Sequence, residues 1–169
     1  MKPLLIVDGY NVIGAWREAA RKRYTIDEAR DKLIHMLAEY SGYRGVEVVL
    51  VFDGYKSDKL STTVERQGPV GVVYTRHGET ADSYIERLAV NAPRYRTIRV
   101  ATSDGAIQNM ALGAGATRIT SRELLIEMEQ ARRMGYAAYA DGQPMGRNLL
   151  MERLPAHIRE QLERARRGE

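Results

Sequence analysis

Four aspartates in this sequence each follow a short apolar run or open a helical pattern: Asp8 in LLIVDGYN, Asp53 in VVLVFDG, Asp82 in ETADSYIERL and Asp104 in VATSDGAIQ. If the fold gathers them, the chemistry is that of a hard cation. Two carboxylates about 5 Å apart repel by roughly 3 kcal/mol at an effective dielectric of 20, so a group of them must be neutralised by protons or metal. Mg²⁺ or Mn²⁺ suits an all-oxygen site, held by one or two carboxylates with substrate phosphate and water completing the octahedron. The reaction such a site favours is phosphodiester hydrolysis, with in-line attack by water and the cation stabilising the developing charge.

Neighbouring residues fit supporting parts. Asn11, three residues after Asp8, has an amide able to orient a carboxylate, a water or a phosphate, and it joins the four acids as a catalytic candidate. Gly9 lets the backbone approach a ligand closely. Ser103 can donate to a neighbouring acid or to a phosphate, and Glu79 is expected near the same rim. Each acid also has an ordinary explanation. Asp104 is a good N-cap, Asp82 suits the positive end of a helix, and Asp8-Gly9 and Asp53-Gly54 are common turn pairs. Taken together, the four need separate coincidences under that reading and a single cause under the other.

The elements that must position these acids are legible as a strand and helix alternation. Leu4 to Val7, Val46 to Phe52, Val70 to Tyr74, Ile98 to Ala101 and Ala116 to Ile119 read as about five buried strands. Thr25 to Glu28 has the capping-box form and opens a helix expected to end near Tyr40 to Gly42. Further helices are expected from Thr80 to before Pro93, from Asp104 to Gly113, and from Ser121 to about Met134. Residues 55–69 read as a long mobile loop or irregular hairpin, and 136–147 as a second irregular stretch. Such an order implies a mainly parallel sheet covered on both faces, which binds ligands at the carboxyl ends of its strands near the point where strand order reverses. Asp8, Asp53 and Asp104 fall there, and Asp82 projects from the first turn of its helix toward the same rim.

Composition limits the alternatives. The 169 residues suit one domain, read as 1–147 with a helical extension over 148–169 in which Pro155 stands near a first turn. There is no cysteine, which removes thiolate metal sites and cysteine nucleophiles. The start, MKPLLIVDGYNVIG, lacks the form of a signal peptide, and no run approaches 18 apolar residues, so a cytoplasmic protein with no membrane partner is expected. A net charge of +4 suits an anionic partner such as RNA. Arg17, Arg21, Lys22 and Arg23 form the best phosphate-contact cluster, with Ser103 beside the acids as a further RNA contact. Arg147, Arg153, Arg159, Arg164, Arg166 and Arg167 alternate with Glu152, Glu160 and Glu163 and read equally well as a solvated face. Trp16 and Tyr10 are able to stack on bases, although packing is the commoner fate of both. His35 and His157 read as surface residues, and His77 lies near the rim.

Two other Asp-led or nucleotide-linked chemistries are disfavoured. A haloacid-dehalogenase phosphatase needs a second Asp two residues after the first, where this chain has Tyr10; a dinucleotide site needs GxGxxG, which DGYNVIG does not supply. A protein that binds RNA or the ribosome without cutting remains the principal alternative.

The strings LLIVDGYNVI, VVLVFDG, ETADSYIERL and VATSDGAIQ, in order and with compatible spacing over roughly the first 135 residues, resemble the YacP-like branch of the NYN-domain nucleases, relatives of the PIN and FLAP-type nucleases. The resemblance implies a PIN-like Rossmannoid three-layer fold and divalent-metal-dependent endoribonuclease activity. It also implies a metal-holding acid set at Asp8, Asp53, Asp82 and Asp104, with Asn11 in the signature. It further suggests messenger RNA on the translating ribosome as substrate, because the branch includes a ribosome-associated endonuclease.

Overall fold

The computed structural model describes residues 1–140 and Arg164, with side chains placed through Gly135 and at Arg164. Residues 1–132 cluster as one compact unit and 133–169 as another, and the whole sheet belongs to the first. The expected boundary at 147/148, the extension beyond it and most of the stretch 136–147 lie outside the described residues.

The sheet has six strands rather than five: β1 (Leu4–Asp8), β2 (Glu47–Phe52), β3 (Thr63–Gln67), β4 (Val70–Tyr74), β5 (Ile98–Ala101) and β6 (Thr117–Ile119), in the order β3-β4-β2-β1-β5-β6. All neighbours pair in parallel except β3, which lies antiparallel on the edge of β4. Of the two readings of residues 55–69, loop or irregular hairpin, this edge strand bears out the hairpin, with Thr63–Gln67 turning through Gly68 and Pro69 onto β4. Its side chains are largely exposed, so TVERQ carries no apolar alternation to reveal it.

Alternate residues of the buried strands face opposite layers. Leu5, Val7, Leu50, Phe52 and Val72 pack with Leu33, Leu37 and Leu124 on one face, while Leu4, Ile6, Val51, Val73 and Val100 pack with Ile85, Ile107 and Ala111 on the other. The first face is covered by α1 (Gly9–Ala15), α2 (Arg17–Arg21), α3 (Ile26–Arg44) and the start of α6 (Ser121–Ala140); the second by α4 (Ala81–Asn91) and α5 (Gly105–Gly113). The expected three-layer α/β architecture is therefore present.

Helix α3 begins with the capping box expected at Thr25 and Glu28 and ends at Gly45, whose φ of +66° is left-handed. It runs past the expected stop near Gly42, because that glycine continues the helix. Helix α6 likewise continues through Gly135. Helices α1 and α2 lie outside the expected set: GYNVIGA has two glycines and no first-turn acid, so it shows neither helical propensity nor a capping signal.

Chain reversal between β1 and its neighbours defines the site. From β1 the chain moves to β2, out to the edge strand β3 and back to β4 on one side, and later returns to β5 and β6 on the other. The crevice thus opens at the carboxyl ends of β1 and β5. Gly54, two residues past the end of β2, is required there: a Cβ on it would lie 1.8 Å from the Thr75 carbonyl oxygen. By contrast, a Cβ on Gly14 in α1 meets nothing within 4 Å. Thermal denaturation should therefore show Gly54→Ala destabilised by about 3 kcal/mol, from displaced backbone. Gly14→Ala should be neutral or up to about 1 kcal/mol more stable; equal effects at the two positions would contradict this packing.

Candidate active site

Register explains how distant residues meet. Val7 pairs with Ala101, so the next residues outward are Asp8 and Thr102, and the buried Thr102 hydroxyl donates to Asp8 Oδ2 at 3.1 Å. The same Thr102 oxygen accepts from the Asp104 backbone N–H at 3.1 Å. Thr102 is thereby a hub between two of the acids. Its own carbonyl accepts from Gln108 Nε2 at 2.7 Å, which ties the hub to α5.

Asn11 braces the other side of the crevice. Its Oδ1 accepts from the Ser103 backbone N–H at 2.8 Å and from the fully buried Ser121 hydroxyl at 2.6 Å, joining α1 to the loop after β5 and to the first residue of α6. The Asn11 oxygen is therefore committed to the scaffold, leaving its Nδ2 group as the donor it can offer. Ser103 itself is exposed between Thr102 and Asp104.

Asp104 caps α5, with Oδ1 accepting from the N–H groups of Ala106 at 2.9 Å and Ile107 at 3.4 Å. Asp53 is engaged through both oxygens: Oδ1 accepts from the Tyr55 N–H at 2.9 Å and Oδ2 from the Ala81 N–H at 3.0 Å. The ordinary roles open to these two acids are thus real. A carboxylate oxygen retains further lone pairs after one such bond, so capping does not preclude a second task. Asp82, exposed in the first turn of α4, is bonded to its own backbone N–H and, among the described contacts, to no other residue of the scaffold.

The acids sense one another. Burial pushes the Asp8 carboxyl up to about 6; Thr102 and the Asn11 N–H offset part of this, and the charges of Asp82 and Asp104 add to it. Asp82 is also raised, first by burial and then by Asp104 and Asp53. The four expected acids therefore share one electrostatic environment at one rim. Among the described residues, however, no three of His, Asp and Glu are drawn into a ready-made metal-ligating cluster. The donor set fits a Mg²⁺-like ion that takes one or two carboxylates and fills the rest of its shell with water and phosphate, rather than an enclosing protein cage.

Glu79 turns away from this group. Its Oε1 accepts from the Thr62 hydroxyl at 2.7 Å, its Oε2 pairs with Arg87 at 3.2 Å, and its carbonyl accepts from the buried Thr75 hydroxyl. Thr75 Oγ1 also accepts from the Gly54 N–H at 2.7 Å, so this threonine holds the Asp53 turn in place. Gly9, as expected, allows close approach, though to protein: a Cβ there would lie 2.5 Å from the Phe52 ring.

Arg17, Arg21, Lys22 and Arg23 are all exposed, and Arg23 adopts a left-handed φ of 52°. Lys22 pairs with Glu18 at 2.7 Å beside a cleft of about 520 Å³ whose lining, Trp16 and Tyr24 included, shares no residue with the pocket at Asp53. Trp16 is buried against Tyr24, and Tyr10 packs on Phe52 at 5.0 Å, so packing accounts for both rings. His35 is exposed beside Glu39. Thr102, Thr75 and Ser121 are the site residues that spacing does not reveal; the only signal for Thr102 is its place one residue past a buried strand.

The fold and rim define a Rossmann-like, PIN-type α/β protein with an acid-lined crevice at its topological switch point. The YacP-like NYN domain family model matches residues 5–167, and the chain belongs to that family. The match extends past the motifs into the C-terminal segment whose role they leave open. The chain is 43% identical over 132 residues to the uncharacterized protein YacP of Bacillus subtilis strain 168, covering 77% of each. It is similar to the crystal structure of Rae1 (YacP) from Bacillus subtilis, with TM-score 0.67 and 38% identity over 99% of this chain and 96% of that one. A tryptophan-to-leucine mutant of that protein matches with TM-score 0.72 and 35% identity over 96% of this chain and 99% of that one. Family membership points to a ribonuclease-type nuclease.

The raised Asp8 carboxyl gives a stability prediction with a definite sign. A carboxyl whose folded pKa lies above its unfolded value costs nothing below pH 3.8, where both states are protonated, and imposes its full penalty above about pH 6. That penalty is on the order of 2–3 kcal/mol before allowing for partial solvent exposure. Without divalent cations, Asp8→Asn should be as stable as the parent near pH 4 and more stable by about 2 kcal/mol at pH 7.5. Denaturant unfolding at the two pH values measures this, and a difference that shrinks as pH rises would refute it.

Proposed function

We propose that this chain is an endoribonuclease that hydrolyses RNA phosphodiester bonds with Mg²⁺ or Mn²⁺ held by Asp8, Asp53, Asp82 and Asp104. The observation that supports this most is that Asp8 and Asp82, at the carboxyl edge of the sheet, are both raised, first by burial and then by acidic neighbours, Asp82 and Asp104 for the one and Asp104 and Asp53 for the other. Such an arrangement is costly in a protein that never neutralises it, and a divalent cation relieves it. When bound, the ion supplies charge neutralisation and Lewis-acid polarisation of the phosphate.

The chain's own groups do the positioning. Thr102 fixes the rotamer of Asp8 and the backbone of Asp104 through one hydroxyl, and Asn11 ties α1, which follows Asp8, to the loop that carries Asp104. Asp82, exposed and least tied to the scaffold, is best placed to exchange between water and an incoming complex of ion and phosphate. Asn11 Nδ2 and the Ser103 hydroxyl are donors for substrate oxygens. The exposed cations Arg17, Arg21, Lys22 and Arg23 contact phosphates farther along the strand, and a net charge of +4 favours encounter with RNA. The finer substrate reading is messenger RNA on translating ribosomes, in the cytoplasm. It rests on the resemblance of the motifs to a branch with a ribosome-associated member. No helix among the described residues is long and apolar enough to cross a membrane.

A second reading, RNA binding without cleavage, is favoured by the capping work of Asp53 and Asp104. Incubating a labelled single-stranded RNA with the full chain separates the two. Cleavage should appear with Mg²⁺ or Mn²⁺, vanish in EDTA, and fall at least about 100-fold in Asp82→Asn, an exposed substitution that leaves folding intact. Retained RNA affinity with no metal-dependent products would favour the binder.

A further inference from the structure

An acid-lined site repels the phosphodiester it is to cleave, so some cationic or stacking surface must hold the strand beside it. The described cation that lines the same pocket as Asp53 is Lys56, not any member of the 17–23 cluster. This pocket, about 440 Å³, is lined by Tyr10, Asp53, Tyr55, Lys56 and Ser57 among others. Tyr55 is 48% exposed, a large ring left at the surface next to a candidate catalytic carboxylate. Its ring stacks on the exposed His77 ring, with centroids 6.5 Å apart and planes 27° from parallel.

The backbone under Tyr55 is held unusually well for a loop. Its N–H donates to Asp53 Oδ1 and its carbonyl accepts from the Gly78 N–H at 3.0 Å. His77 donates its backbone N–H to the Lys59 carbonyl at 2.8 Å and its Nδ1–H to the Ser57 carbonyl at 2.7 Å. The backbone that carries the exposed ring is therefore fixed relative to Asp53, and the tethered His77 backs the ring. Farther along the same edge, Lys59 lies 5.6 Å and Arg30 5.9 Å from the Tyr74 ring centre, and Arg30 donates to the Tyr10 hydroxyl at 3.3 Å. Lys59 and Arg30 thus place two more cations beside the Tyr74 ring, Arg30 also pairing with Asp27.

Resting on the nuclease reading for its location, we propose that Tyr55, backed by His77, is a stacking platform for one unpaired nucleobase adjacent to the scissile phosphate, with Lys56 binding the phosphate of that nucleotide. A preorganised aromatic face gains affinity because little side-chain freedom is lost on binding. It accepts any base, since every base has a π-face, and it requires that base to be free of its own helix stack. The subsite therefore selects single-stranded RNA without reading its sequence.

The test is equilibrium binding of the full chain to labelled oligoribonucleotides in EDTA, by fluorescence anisotropy, so that no cleavage enters. Tyr55→Ala should weaken binding of a single strand by about 5- to 100-fold, the worth of one stacked base. Tyr55→Phe should stay within about twofold, since the ring persists. Lys56→Met should reduce the slope of log affinity against log salt by about 0.7, one phosphate contact on a single strand. A series of strands each carrying one abasic position, bound to the unsubstituted protein, should contain one position that alone lowers affinity, and that loss should disappear in Tyr55→Ala. Unchanged affinity in Tyr55→Ala, or an equal loss on duplex RNA, would overturn the platform even if the protein cleaves RNA with metal. Tyr55-dependent binding by a protein that never cleaves would leave the platform standing and remove the nuclease reading.

Discussion

Bringing like charges together in a half-buried crevice is the constraint around which this molecule is arranged. Each aspartate at the rim arrives from a different element, and Asp8 and Asp82 are both displaced upward by burial and by neighbouring carboxylates. A chain could avoid this cost by scattering the acids, at no loss to the core beneath them. Instead it surrounds them with braces: Thr102 between Asp8 and Asp104, Asn11 between α1 and the loop after β5, Thr75 under the Asp53 turn. Stability is given up locally and supplied by the two apolar layers on either side of the sheet, as is usual where a site must be held ready for a ligand.

Other charged groups in the unit show what carboxylates do when they serve stability alone. Glu127 would be raised by its burial, but a two-point bond with Arg99 and the Tyr40 hydroxyl outweigh this and hold it below the ordinary glutamate range. Glu79 is likewise held low by Thr62 and Arg87 against its burial. Both have paired cations and depressed pKa values. Asp8 and Asp82 are raised, first by burial and then by acidic neighbours, with no cation paired to them among the described contacts, the pattern that the proposed site accounts for.

Much of this is readable in the sequence because strand ends and caps are local signals. An unbroken apolar run that stops at Asp-Gly announces both a buried strand and the residue at its carboxyl end, and Thr80 or Asp104 before a helical stripe announces the cap. The parts that stay hidden depend on partners far away in the chain. Thr102 and Asp8 are 94 residues apart, and Ser121 and Asn11 are 110 apart, so nothing near either hydroxyl tells its purpose. Strand β3 is hidden because an exposed edge strand shows no apolar period, and α1 because packing of Val12 against the core, not propensity, makes GYNVIGA helical. Tyr55 is inconspicuous inside a polar stretch, since exposure and the stacked His77 are tertiary facts.

That these acids share a divalent cation is open to direct measurement. Crystals of the full chain grown with millimolar Mn²⁺ and measured near the manganese absorption edge would locate the ion. One or more anomalous peaks are expected within coordinating distance of Asp8 and Asp82 or Asp104, with water completing the shell. Manganese bound elsewhere on the molecule, with this crevice holding only water, would contradict a shared cation.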